Sequence, residues 1–239
     1  MTRPLLRSLL FASTLPLLVL SGLVGCSSTP QPVDISYTPA DSGMATKIAG
    51  AEAVAVHVSV DDERASKNTV GEMSKGLGMD LARISADNSV PQTLQSAIET
   101  ELRDRGFAIT SLGVPVTVTL TKFENQFRLG AWSSTDDAEI VMDVVVKDAR
   151  GTIYTRLIDV HGRNKGVEFA TAQNAQIALD RALQRAVADL FADNNFVAAL
   201  ETAGKGSPSA LRAGPSEAAP LPSSSVQPET NQPPPATPQ

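Results

Sequence analysis

The chain has 239 residues, of which 42% are hydrophobic and 19% are charged, with 26 acidic residues against 20 basic ones. This length permits one or two domains, and the composition is that of a protein with a packed core. The net charge of −6 argues against a nucleic-acid partner, which normally requires a basic face, and against electrostatic attachment to an anionic membrane.

The N-terminus has the layout of a secretory signal peptide. Arg3 and Arg7 are followed by an apolar stretch over residues 8–24, and a polar segment comes directly after it. A transmembrane helix is the alternative, but it needs about 20 apolar residues, and Pro16 interrupts this shorter run. The sequence therefore predicts a signal peptide over residues 1–25.

Cys26 is the only cysteine of the chain and follows Leu-Val-Gly at positions 23–25. This pattern resembles the bacterial lipobox, in which a diacylglyceryl group joins the thiol and cleavage makes the cysteine the mature N-terminus. A core cysteine or a free thiol would have to lie within a folded domain, whereas Cys26 lies between an apolar stretch and a Pro/Ser segment. The resemblance implies that lipid anchors the protein to a membrane. It also implies sorting to the outer membrane of a Gram-negative bacterium, facing the periplasm, because Ser27 stands where an Asp would signal inner-membrane retention.

Composition divides the mature chain into three parts. Residues 26–50 are polar and rich in Pro, Ser and Gly, which predicts a lipidated N-terminus and a flexible tether. Residues 51–202 carry the periodic apolar patterns of one periplasmic domain. Residues 203–239 are rich in Pro and Ser and nearly free of large apolar side chains, which predicts a disordered tail.

The domain predicts an α+β fold. Alternating apolar residues indicate strands at 53–60, 114–123, 138–147 and 152–160, with a short strand at 107–110. Residues 61–89 lack a clear period and are interpreted as a long excursion with a short extended piece at 79–84. Two main helices are predicted, one opening at Pro91 and ending at Gly106, the other over 172–192, before a short closing helix. We expect an antiparallel sheet of about four to five strands with the two main helices on one face.

Several of these segments together resemble the YajG-type lipoproteins of Gram-negative bacteria. They are the lipobox, the strand AVAVHVSV with the DDER that follows it, the helix PQTLQSAIETELRDRGF, the strand VTVTLTKFENQF and the closing NNFVAAL. The resemblance spans about residues 26–202 and leaves out the Pro-rich tail. It implies an outer-membrane lipoprotein of no established biochemical activity and carries over no catalytic residue.

No catalytic or metal-binding constellation stands out in the sequence. His57 alternates with the valine face of its strand and should point to solvent, and His161 ends a strand in a structural position. The two histidines have no helical partner four residues away, so they predict no metal site. Lipid attachment would leave no thiol for nucleophilic chemistry. We therefore expect no enzyme activity and no cofactor.

The segment 127–137 is predicted to be a loop between two strands, and it carries Trp132, the only tryptophan. Trp and Arg are favoured at the centres of protein interfaces, so Trp132 and Arg128 are candidate partner contacts. The alternative is that Trp132 folds back to cover the sheet.

Three hypotheses for function remain open at the level of sequence. The first is a non-catalytic anchored domain that binds another cell-envelope protein. The second is a carrier of lipid or glycan fragments, and the third is an enzyme that acts on the envelope. The oligomeric state is left open.

Overall fold

The computed structural model describes residues 30–39, 45–74, 81–129 and 133–206, in which three helices pack against one mixed sheet. In chain order the strands are β1 (Gln31–Val33), β2 (Ala55–Asp62), β3 (Thr69–Ser74), β4 (Leu81–Ala86), β5 (Ala108–Ile109), β6 (Val114–Arg128), β7 (Ser134–Asp148) and β8 (Gly151–Val167). The helices are α1 (Val90–Asp104), α2 (Ala172–Ala192) and α3 (Asn194–Lys205).

The predicted α+β class is confirmed, but the predicted sheet of four to five antiparallel strands is wrong in size and partly wrong in direction. The described residues form an eight-stranded sheet. β6, β7 and β8 make an antiparallel meander, whereas β2 lies parallel to β5 and β6, and β1 lies parallel to β4. The parallel pairs join strands that are distant in sequence, with α1 returning the chain between β2 and β6, so no local pattern indicates them.

The β3–β4 hairpin accounts for most of the difference in strand number. It lies within residues 61–89, which the sequence predicts to be a largely irregular excursion. β3 lies beside β6, where Gly71 pairs with Asn125. A Cβ at Gly71 would lie 2.8 Å from the Asn125 carbonyl oxygen, so the close approach of the two strands requires glycine. A strand with glycine at its centre gives a weak β signal.

The helices confirm the sequence prediction most closely. α1 has Pro91 in its first turn and Ser89 as N-cap, with Ser89 Oγ accepting from the Gln92 amide. α2 spans the predicted residues 172–192, and its predicted apolar stripe is buried. Both helices contribute to one hydrophobic core with the inner face of the sheet. The amphipathic period of a long helix is a strong local signal, because one face must meet the core.

Residues 30–39, called the strap below, lie within the range predicted as a flexible tether but are packed onto the domain. β1 extends the sheet beside β4, and the side chains of Val33 and Ile35 are buried in the core. Asn88 holds the strap from the start of α1, because its amide group donates to the Ile35 carbonyl and accepts from the Ile35 N–H. The folded body therefore begins near residue 31 rather than at residue 51.

Helix α2 holds the strap along its other side. Gln176, Asp180 and Gln184 are spaced one helical turn apart and face the strap. The Gln176 and Gln184 amides donate to strap carbonyls at 2.7 and 2.9 Å, and Asp180 accepts from both the N–H and the hydroxyl of Ser36. Burial raises the pKa of the Asp180 carboxyl, and the two Ser36 bonds act in the opposite direction. The strap is thus bonded on both sides.

Helix α2 crosses β8 at Gly162 in direct backbone contact. A Cβ at this position would lie 2.1 Å from the Ala182 nitrogen and 2.2 Å from the Ala178 carbonyl oxygen. The small side chains of the α2 alanines allow this approach. One turn further along α2, Arg185 donates to the His161 carbonyl at 3.0 Å. This contact determines how closely α2 sits on the sheet.

Candidate functional site

The outer face of β6, β7 and β8 is covered by no helix among the described residues. Val144 and Val146 point into the core, whereas the alternate residues Val141 and Val145 are half-buried on the other side. Leu157 on β8 is 60% exposed and pairs with a residue between these two valines. The three side chains form an apolar centre on a sheet face that is otherwise polar. Asp143 interrupts this centre, because it lies between the two valines on β7 and pairs with Leu157.

Asp137 lies among three basic side chains near one end of this outer face. Its carboxylate is only 6% exposed and lies 3.0 Å from His161 Nδ1, 3.4 Å from Arg163 Nε and 3.7 Å from Arg128 Nε. Cross-strand pairing of β7 with β8 places Asp137 opposite Arg163. Surrounding cationic groups offset the cost of burying an ionised carboxylate. We call these four residues the Asp137 cluster.

A second charged group adjoins the Asp137 cluster. Lys122 Nζ lies 3.0 Å from Glu139 and 3.1 Å from Glu124, and these carboxylates, Glu139 first, raise the pKa of Lys122. One ligand atom each from Glu139, Asp159 and His161 lie within 4.8 Å of one another. Carboxylate and imidazole donors suit a divalent metal such as zinc. However, Glu139 is already paired with Lys122, which competes with a cation for the same oxygens.

A buried polar pair lies on the inner side of the same strands. Asn125 on β6 donates from Nδ2 to Asp136 Oδ1 on β7 at 2.9 Å. The remaining polar atom of each side chain, Asn125 Oδ1 and Asp136 Oδ2, is buried without a hydrogen-bond partner. Burial raises the pKa of Asp136, and the Asn125 bond acts in the opposite direction. A protonated Asp136 would carry a hydrogen-bond donor in addition to its acceptors.

Two grooves on the surface are lined by mixtures of polar and apolar residues. One, of about 680 Å³, lies where β3 and β6 meet and includes Glu72, Arg83 and Gln126. The other, of about 460 Å³, runs between the strap and α1 and includes Tyr37, Ser96 and Thr100. Tyr37 closes one end of it with a hydrogen bond from its hydroxyl to Glu101, and burial together with this carboxylate raises the pKa of Tyr37.

The predicted site residues fare differently. Cys26, Ser27 and Trp132 lie outside the described residues. Arg128 is the last residue of β6, is exposed and belongs to the Asp137 cluster, and its role as a partner contact stays a prediction. His57 is exposed on β2 as predicted.

The predicted loop over residues 127–137 is mostly strand. β6 runs to Arg128 and β7 begins at Ser134, so Asp137 lies in a paired strand. The sequence prediction therefore missed Asp137 as the centre of a charged cluster. The two-residue alternation of β7 extends back through Glu139 to Asp137, and this pattern indicates that Asp137 lies in the strand.

Comparison with known proteins gives a family and a fold. A family model described as "Uncharacterized lipoprotein" matches residues 45–201. No curated protein matches the chain. The crystal structure of a Xanthomonas campestris protein of the DUF330 family is similar at 11% identity and a TM-score of 0.50, covering 72% of this chain and 99% of that one. This likeness supports the fold alone.

A minor lipoprotein from Acinetobacter baumannii is a more distant structural match. Its identity is 10% and its TM-score 0.33, over 58% of this chain and 90% of that one. A likeness this distant bears on neither fold nor function. Among the described residues, no helix is both long enough and apolar enough to span a membrane.

Proposed function

The chain belongs to the Lipoprotein_16 family of uncharacterised lipoproteins, and from this membership we propose that it is a lipid-anchored, non-catalytic domain of the bacterial envelope that binds another envelope protein. Cys26 is the proposed site of lipid attachment. Ser27 favours sorting to the outer membrane, with the domain facing the periplasm. Two or more acyl chains on one cysteine would hold the acidic protein to the bilayer without help from its net charge.

The anchor is tested by two substitutions in the full chain. Cys26→Ser should move the protein from the membrane to the soluble fraction, and complete retention with membranes would refute lipid anchoring. Ser27→Asp keeps the lipid but should shift the protein toward the inner membrane on a density gradient. An unchanged distribution would remove the support for outer-membrane sorting while leaving the anchor intact.

The outer face of β6–β8 is the observation that supports a protein partner. Its apolar centre of Val141, Val145 and Leu157 contains one charged residue, Asp143, and is bordered by the charged side chains of Lys122 and Asp159. An apolar centre inside a polar rim is the usual anatomy of a protein–protein interface. Leu157 remains exposed on the folded sheet and contributes little to the core, which supports a partner that covers it together with the two half-buried valines.

Site-specific photocrosslinking tests this face. A photoreactive residue at Leu157 should capture a defined envelope protein in intact cells, and one at the exposed Ala188 on the helix side should not. A Leu157→Asp variant, probed by a photoreactive residue at Thr155, should lose the same capture because a carboxylate would be buried in the interface. Equal capture from Leu157 and Ala188 would refute a specific interface on the outer face.

The carrier hypothesis requires a different kind of site. A carrier of acyl chains needs an apolar chamber, whereas the two grooves described above are open and lined partly by polar side chains. Lipid extraction of the purified protein tests it directly. Stoichiometric lipid in excess of the acyl chains on Cys26 would favour the carrier over the binding domain.

A further inference from the structure

The direction of β1 shows from which end of the sheet the N-terminal chain arrives. β1 is parallel to β4, β4 is antiparallel to β3, and β3 is parallel to β6. β1 therefore runs opposite to β6 and starts at the end where β6 finishes. We call this end, formed by Arg128, Ser134 and Val167, the turn end of the sheet.

Strand register places the start of β1 at a definite level. Gln31 pairs with Ile84, Ile84 with Gly71, and Gly71 with Asn125. Asn125 lies only three residues before the end of β6. β1 thus begins near the turn end of the sheet. The two ends of β6 are about 45 Å apart for a 15-residue strand, so the start of β1 is far from the opposite end.

The length of chain between the proposed anchor and the sheet is short. Cys26 precedes Gln31 by five residues, and an extended chain spans at most about 3.6 Å per residue, which is roughly 18 Å in total. From residue 31 onward the chain is held on the domain, first by the pairing of β1 with β4 and then by the bonds of the strap to α2. A lipidated Cys26 would therefore keep the turn end within a short distance of the bilayer.

The turn end has the surface composition expected of a bilayer contact. Leu129 is 82% exposed and Phe169 is 71% exposed. Phe169 lies two residues beyond Val167, whose pairing with Ser134 brings it to this end. Among the described residues of β6, β7 and β8 near this end, Arg128, Arg163 and Lys165 are basic and exposed. The acidic residues near them are Asp137, which pairs with both arginines, and the exposed Glu168. Glu72 on β3 is exposed at the level of Arg163 and pairs with the exposed Arg83.

We propose that the turn end of the sheet lies against the lipid headgroups of the membrane in which Cys26 is anchored, with Leu129 and Phe169 at the interface and Arg163 and Lys165 toward lipid phosphates. Exposed apolar side chains flanked by basic ones are typical of interfacial membrane contacts. This inference rests on the proposed lipid at Cys26. It assigns the turn end of the sheet to lipid and leaves the outer sheet face for a protein partner.

The chain offers a matched pair of positions for the test. Leu112 is 85% exposed and precedes β6, so it lies at the opposite end of the strand from Leu129. Because the lipid would occupy the only native thiol, Leu129→Cys and Leu112→Cys each introduce a single free thiol into the mature full chain. Each variant is labelled with an environment-sensitive fluorophore and reconstituted into vesicles of phosphatidylethanolamine and phosphatidylglycerol that contain a nitroxide-labelled lipid.

We expect a blue-shifted emission and quenching by the nitroxide lipid for the label at Leu129→Cys, and neither for the label at Leu112→Cys. Adding Lys165→Glu to the Leu129→Cys variant should reduce the quenching, whereas Lys147→Glu, an exposed position at the opposite end, should not. Protein that fails to float with the vesicles would refute the lipid anchor of the proposed function. Protein that floats but gives equal signals at the two positions would overturn the orientation alone. A label at Leu129 that is shielded in native membranes but not in vesicles would assign the turn end to a protein partner and overturn the lipid contact.

Discussion

Replacing Gly162 by alanine tests how α2 is seated on the sheet. The added Cβ would lie 2.1 and 2.2 Å from backbone atoms of Ala182 and Ala178, well inside van der Waals contact. Neither atom can move without moving the helix, so α2 must shift outward by more than 1 Å. Overpacking a core typically costs 1–3 kcal/mol, and we expect about 2–4 kcal/mol here because the obstructing atoms are backbone.

For a folded body of this size the loss corresponds to a fall in Tm of roughly 5–15 °C, measured by thermal or urea unfolding of the soluble domain. Gly206→Ala is the control, since its Cβ would meet the nearest atom at an ordinary 3.6 Å and the residue has φ −91°. That variant should stay within about 0.5 kcal/mol of the wild type. A Gly162→Ala protein as stable as the Gly206→Ala control would show that the helix does not rest on β8 as described.

Three further substitutions probe the polar contacts. Burial raises the pKa of Asp136, so the folded state loses stability as the pH rises from the ordinary carboxyl pKa through the raised one. Asp136→Asn should therefore increase the free energy of unfolding, measured in urea, more at pH 7 than at pH 4. An equal increase at the two pH values would contradict this. Asp180→Ala removes both bonds from Ser36 and should cost about 1–2 kcal/mol, and an unchanged urea midpoint would show that they contribute nothing. Because Lys122 occupies Glu139, zinc should raise the Tm of Lys122→Ala but not that of the wild type, and stabilisation of the wild type would reveal a metal site.

Helix α2 shows how far local pattern extends. Its buried stripe follows from amphipathic spacing alone, and the structure begins and ends the helix at the predicted residues. The turn before Gly151 is equally local, because its backbone φ of 135° favours glycine and the flanking strands alternate cleanly. Such elements are predictable because the interactions that select them lie within a few residues of one another.

The strap shows where local pattern fails. Residues 30–39 have the polar and Pro-containing composition of a tether, yet Val33 and Ile35 are buried. Pairing with β4 and hydrogen bonds with three polar side chains of α2 hold these residues in place. Asp180, one of the three, lies more than 140 residues further along the chain. Amino-acid composition indicates how polar a segment is on average. It carries no information about a distant surface of the fold on which two apolar side chains of that segment can be buried.

The candidate surfaces divide in the same way. The sequence alone determined the α+β class, the main helices and the meander. It also determined the family resemblance, which the family model confirms, and it predicts a lipid at Cys26. Only the tertiary structure decided that Asp137 gathers Arg128, His161 and Arg163, and that β1 starts at the turn end of the sheet. Cross-strand neighbours and strand direction depend on pairings between distant segments, which are selected by the packing of the whole sheet and not by the period of any one strand.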